Sequence, residues 1–249
     1  MGPGCVRAEN DVAPTTEPGD TAKIRTTLDD SVGCDVLAQS VIEFGPGRSQ
    51  PRETGDCEEV LFVLSGEGEL LLDGSSHRLE PEAGAYLAPG ERYEIDNPGD
   101  AALKVVSVRI PEPAGEATGQ REIVRRLSDQ DAQDATTDRQ FRVVADPDSG
   151  LRSATHFVGY IPLARAPDHF HYYDEVIYVL EGEGTMHMNG ESTPLAPGSC
   201  IHLPARTVHC LQNVGEDVMK VVAVFRPAGS PAAAYYPDGT PAYQAAASE

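Results

Sequence analysis

The chain has 249 residues, with 40 acidic against 19 basic side chains and a formal charge of −21. Such a surface repels phosphate backbones and anionic headgroups, which argues against nucleic acid and membrane as partners. No run approaches the ~20 apolar residues that cross a bilayer, and five scattered cysteines without a CxxC pair argue against a zinc ribbon or a disulfide framework.

In chain order, residues 1–22 are rich in Pro, Gly, Thr and acid and hold no apolar stretch suited to a signal peptide. They read as a disordered leader on a cytoplasmic protein, its cysteines free thiols. From residue 23 the pattern turns to short β-rich runs. The stretch from Glu59 to Gly74 reads EVLFVLSGEGELLLDG, and its Asp-Gly between two strand-like runs signals a hairpin. KVVSVRIP follows from Lys104 and is closed by Pro111. The first domain is set at 23–113. Residues 114–140 form a linker in which REIVRRLSDQ is expected to make one short helix.

A second β-rich start, QFRVV, opens a second domain at 141–230, and here the chain repeats itself. The stretch from Glu175 to Gly190 reads EVIYVLEGEGTMHMNG, an offset of 116 residues (175 minus 59) from the first copy. The same offset pairs Asn97 with Asn213, Lys104 with Lys220 and Pro111 with Pro227. Turn signals about every 8–12 residues fit an antiparallel sandwich or barrel. The expected fold is all-β, two tandem jelly-roll-like barrels joined by a short helical linker, followed by a tail at 231–249 that lies across a barrel or stays mobile.

Of the seven histidines, all but His77 lie in the second copy. His169 and His171 stand two residues apart in DHFHYYDE, so on a strand both imidazoles face one side. Glu175 follows closely, and His209 arrives after a proline-containing turn. Three imidazoles and a carboxylate suit one divalent first-row transition metal (Fe, Mn, Ni, Cu or Zn) with coordination positions left open. In the first copy the matching positions hold Glu53, Gly55, Glu59 and Tyr93, so only the glutamate survives. The alternative there is a different site built from Glu53, Cys57 and Glu59.

These residues resemble the cupin superfamily, and the tandem copy resembles a bicupin. The first family motif, HxH, three or four residues, Glu, six residues, Gly, is matched by His169, His171, Glu175 and Gly182. The second, G, five residues, PxG, two residues, H, three residues, N, is matched by Gly198, Pro204, His209 and Asn213, with Arg206 standing where the family usually has Gly. The resemblance covers most of residues 160–227. It implies metal-dependent chemistry on a small organic substrate: oxygen-dependent cleavage as in a dioxygenase first, with non-redox isomerisation, lysis or decarboxylation, or binding without turnover, as alternatives.

His202 and Arg206 are candidate catalytic residues, as acid or base and as a grip on a carboxylate respectively. His187 reads as a surface histidine, and Tyr160, Tyr172 and Tyr178 as packing residues with polar tips. The protein is expected as a monomer, its two barrels burying each other's faces, or as a homo-oligomer.

Overall fold

The computed structural model describes residues 4–136 and 138–242. The strands of the first half are β1 (Cys5–Ala8), β2 (Thr15–Thr16), β3 (Ala22–Leu28), β4 (Ala38–Phe44), β5 (Gly47–Arg48), β6 (Arg52–Glu53), β7 (Glu58–Ser65), β8 (Gly68–Leu72), β9 (Ser75–Leu79), β10 (Ala83–Leu87), β11 (Arg92–Asn97) and β12 (Leu103–Ile110). The second half has β13 (Val124–Arg126), β14 (Gln133–Asp134), β15 (Gln140–Ala145), β16 (Thr155–Ile161), β17 (Asp174–Glu181), β18 (Gly184–Met188), β19 (Glu191–Leu195), β20 (Ser199–Leu203), β21 (His209–Asn213) and β22 (Met219–Arg226). Among the described residues helical structure is limited to short 3₁₀ turns, and no helix is long and apolar enough to cross a membrane. The all-β tandem architecture is as expected.

Each half pairs a seven-stranded sheet with a smaller one. The large sheets run β13-β10-β7-β12-β4-β3-β2 and β1-β20-β17-β22-β16-β15-β14, and the smaller run β5-β11-β8-β9 and β19-β18-β21. Period-2 alternation divides the side chains between two cores. On β17, Ile177 and Val179 point into the second barrel with Ile201 and Leu203 of β20. Val176 and Tyr178 point the other way and join Cys200, Val60, Phe62 and Val106 in a core between the barrels. Both faces of the large sheets are therefore buried, which is why VLFVL and VIYVL read as unbroken apolar runs.

Two expectations are corrected. The leader is ordered from Gly4 on in the described residues: β1 pairs with β20 of the second barrel, Cys5 opposite His202 and Ala8 opposite Ser199. The linker holds no α-helix. REIVRRLSDQ forms β13, which pairs with β10 of the first barrel, and then a 3₁₀ turn at Leu127–Asp129. The Ile123–Leu127 spacing suits a helix, but the β10 edge offers unpaired N–H and C=O groups that an extended segment satisfies; the Tyr86 N–H donates to the Ile123 carbonyl at 2.9 Å.

Leader and linker are the same element twice. The 3₁₀ turn at Glu9–Asp11 matches the one at Leu127–Asp129 with an offset of 118 (127 minus 9), β2 matches β14 likewise, and β3 matches β15 at 117, as their register on β4 and β16 shows. Each copy of the element crosses to the other copy's barrel. Where the first crosses, Glu9 is buried, accepting from the Tyr178 hydroxyl at 3.1 Å and from the Lys104 ammonium at 2.5 Å. Between the barrels, the fully buried Glu58 accepts from the Tyr86 hydroxyl at 2.8 Å, from the Arg152 and Ser153 N–H groups at 2.9 and 3.2 Å, and from the Ser153 hydroxyl.

Candidate metal centre in the second barrel

His169 and His209 face each other across an isolated antiparallel bridge, each N–H donating to the other's carbonyl at 3.0 and 2.8 Å. The first barrel has β6 paired with β11 in this region, Arg52 opposite Tyr93. His171 follows two residues after His169, as the period requires, and the three imidazoles come together with ring centroids 4.6–5.1 Å apart. One ligand nitrogen from each lies within 4.8 Å of the other two. Glu175, on β17, lines the same cavity without joining that close group.

The outer partners decide which nitrogen is available. His169 Nδ1 meets the Pro167 carbonyl at 2.9 Å, His171 Nδ1 the Ala233 carbonyl at 2.8 Å, and His209 Nδ1 the Thr207 carbonyl at 2.9 Å. A carbonyl only accepts, so each Nδ1 carries the proton and each Nε2 keeps its lone pair for a cation. Tyr173 stacks flat on His171 at 4.6 Å and on Phe225 at 3.9 Å, which fixes the His171 ring plane.

Burial, followed by mutual repulsion, holds His209 well below the usual imidazole range; the same causes push His171 down to about 3, and burial lowers His169. Burial alone pushes the Glu175 carboxyl up to about 8. Near neutral pH the cluster is three neutral imidazoles beside a protonated carboxyl, a donor set that a divalent cation would complete by displacing one proton. The residues fit a first-row metal on the chemistry of their donors.

The cavity in front of the trio encloses about 90 Å³. Phe141, Phe157, Ile177 and Leu211 give it apolar walls, and Arg139 adds a guanidinium. Pro231 and Ala234 close one side, and Tyr235 pairs with Phe170 through both backbone groups. The tail therefore lies across the second barrel over its described part, to Ala242; residues 243–249 fall outside the described residues.

Two candidates stand apart from this cavity. His202 is buried, but on β20 it alternates with Ile201 and Leu203 and so faces the inter-barrel side, with Asp174 Oδ1 at 3.9 Å. Arg206 is exposed at φ +65°, its guanidinium 4.9 Å over the Tyr172 ring. Neither lines the cavity. His187 bonds Ser192 and Gln212 at 2.8 Å each, and Tyr178 and Tyr160 both pack on the core between the barrels, Tyr160 with the Lys220 ammonium over its ring.

In the first barrel the equivalent space is filled. Tyr93 is buried and its hydroxyl donates to Glu59 at 3.1 Å; Ser107 donates to the same carboxylate oxygen at 2.6 Å. Glu53 is exposed, 3.8 Å from Arg92, so Glu53, Cys57 and Glu59 form no metal-binding group among the described residues.

Sequence reasoning missed Arg139, Tyr173 and the Ala233 carbonyl. Arg139 lay in a segment read as linker, and a carbonyl has no residue signature; Tyr173, between His171 and Glu175, was within reach of the motif.

Comparison with known proteins agrees with this geometry. A model of the cupin domain matches residues 40–109 and again 156–225. A 64-residue stretch is 41% identical to quercetin 2,3-dioxygenase of Bacillus subtilis, covering 25% of this chain and 19% of that protein. A 60-residue stretch is 33% identical to an uncharacterized protein of Methanocaldococcus jannaschii, covering 24% and 48%. The matched stretches thus span less than half the length of these curated relatives. Among solved structures, a putative glyoxylate-induced protein from Pseudomonas aeruginosa superposes with TM-score 0.75 at 18% identity, over 90% of this chain and 89% of that one. Oxalate decarboxylase from Bacillus subtilis superposes with TM-score 0.71 at 13% identity, over 90% and 77%; at such identities the likeness is one of fold. With two matches that together span more than half of its length, each on one barrel, the chain belongs to the cupin family as a tandem, two-domain member.

Proposed function

We propose that the second barrel is the active centre of a metal-dependent oxidoreductase of the dioxygenase kind, acting on a small organic molecule. His169, His171 and His209 hold one divalent transition metal, and Glu175 is its carboxylate ligand. The observation that carries this reading is the set of three Nδ1–carbonyl hydrogen bonds, which leaves three Nε2 lone pairs free around one point. The 41% identity to quercetin 2,3-dioxygenase over 64 residues supports the choice of oxygen chemistry. The first barrel serves as structural partner.

When bound, such a metal supplies Lewis acidity and open positions for an oxygen-bearing substrate. The chain's own residues do the rest. The carbonyls of Pro167, Thr207 and Ala233 hold the imidazoles in register. The apolar walls exclude water, and the tail closes one side. Glu175, whose carboxyl burial keeps protonated near neutral pH, would release that proton to solvent on binding a cation and supply the negative charge opposite it.

The test is elemental mass spectrometry on protein purified without an affinity tag, beside His169→Ala and His209→Ala, followed by oxygen uptake on a substrate panel that includes quercetin. About one equivalent of redox-active metal, lost in both variants, together with metal-dependent uptake, supports the reading. Turnover that persists without oxygen, or with a redox-inert ion, selects a non-redox isomerase, lyase or decarboxylase. Absence of metal even after anaerobic reconstitution overturns the metal reading and leaves a binding module.

A further inference from the structure

The cavity contains one permanent cation in a chain of net charge −21. Arg139 reaches it from the segment between β14 and β15, and one guanidinium N–H donates to the Leu211 carbonyl. No carboxylate pairs with Arg139 among the described residues, and burial lowers its pKa. A guanidinium offers five N–H donors in a planar fork, so one bond to a carbonyl leaves most of that fork without a protein anion. Desolvated charges without a counter-ion are costly and mark places where a ligand supplies the counter-charge.

The residue also follows the pattern of the site. By the register of β3 on β4 and of β15 on β16, which sets Gln140 on Lys23, its counterpart in the first barrel is the buried Ala22. Gly159, on the cavity wall, stands where β4 of the first barrel has the buried Ile42, and Ala223, also on the wall, where it has Ser107. The barrel that keeps the histidines has therefore gained space and a cation together. Leu211, which anchors Arg139, is two residues beyond His209 on β21. Two residues of strand span about 7 Å, so histidine cluster and guanidinium are placed to engage the two ends of a small molecule.

We propose that Arg139 is the anion anchor of this cavity and that the molecule bound there is a small organic acid, its carboxylate on Arg139, its apolar body against Phe141, Phe157 and Ile177, and its other end toward the histidines. The last clause rests on the metal-centre reading; the anion anchor does not. Arg206 has no part in it, being exposed and stacked on Tyr172. Arg139 is a specificity-determining residue that prefers acids over neutral isosteres of the same shape.

Ligand-observed fluorine NMR with para-fluorobenzoate and para-fluorobenzyl alcohol tests this on the full chain, with metal content measured in the same samples. The parent is expected to bind the acid at least about tenfold more tightly than the alcohol. Arg139→Met is expected to remove that preference while metal content and melting temperature stay at parental values. Should Arg139→Met fold poorly, Arg139→Gln keeps an N–H for Leu211 and is expected to lose the preference equally. Equal binding of the two probes by the parent, or an acid preference that survives in the folded variant, overturns the proposal. A parent without metal that prefers the acid only when Arg139 is present upholds the anchor while the metal reading falls. A metal-loaded parent indifferent to the acid does the reverse.

Discussion

At one position on the fold, the second barrel has His209 with its Nε2 turned toward an open cavity, and the first has Tyr93 with its hydroxyl on Glu59. Ten strands of each barrel have a counterpart in the other, and Glu59 and Glu175 occupy the same place on β7 and β17. The barrel without the histidine cluster therefore differs by more than the missing imidazoles. The surviving glutamate needs donors in place of a cation, and Tyr93 and Ser107 provide them. The space needs filling, and Ile42 is buried where the second barrel has Gly159. The two barrels show two ways of satisfying one buried carboxyl.

Breaking the second barrel's version should have the largest effect. His171→Ala removes a ligand, and metal affinity measured by competition with a chromophoric chelator should fall by more than about a hundredfold. Removing residues 231–249 leaves the three histidines and Glu175 in place but takes away the carbonyl that orients His171; metal affinity should fall about tenfold to a hundredfold, the usual cost of losing an outer partner. Tyr93→Phe sharpens the contrast from the other side. It takes a donor from the buried Glu59 and should cost about 1–3 kcal/mol in denaturant unfolding, with metal content unchanged.

The core between the barrels supplies a pH test. His156 lies there fully buried, and burial pushes its pKa down to about 3. Below an unfolded value near 6.5 the unfolded chain binds a proton that the folded one refuses, so this stabilising contribution is present above pH 6.5 and is lost as pH falls toward 3. His156→Gln, which installs the residue type of the equivalent Gln39 in the first half, should flatten the acid limb by about 1.4 kcal/mol per pH unit relative to the parent, both compared free of metal. The smallest effect is at Arg206. Arg206→Gly relieves a left-handed backbone and loses one cation–π contact, so stability should change by about 0.5 kcal/mol or less and metal content not at all.

Much of this was legible because the repeat needed no gap from Glu59 onward, and because HxH on an extended chain leaves few choices for where two imidazoles point. The start of each copy was hidden by a change of offset from 116 to 118, which turned one repeated element into an apparent leader and an apparent helical linker. The strand that captures REIVRRLSDQ comes from the other end of the first barrel, and no local pattern in those residues announces it. His202 and Arg206 drew attention by closeness in sequence to His209, yet alternation on β20 sends His202 to the opposite face from Leu203.

The exchange of β1 and β13 has a consequence for how the two halves can exist apart. Each half lends its leading arm to the other's sheet, so the connecting peptide does little of the holding. A protease nick in the exposed stretch around Gly115 should leave both fragments clasped and comigrating as one particle. Two single-barrel chains trading arms would arrive at the same arrangement, and this protein reads as such a dimer with one peptide bond added.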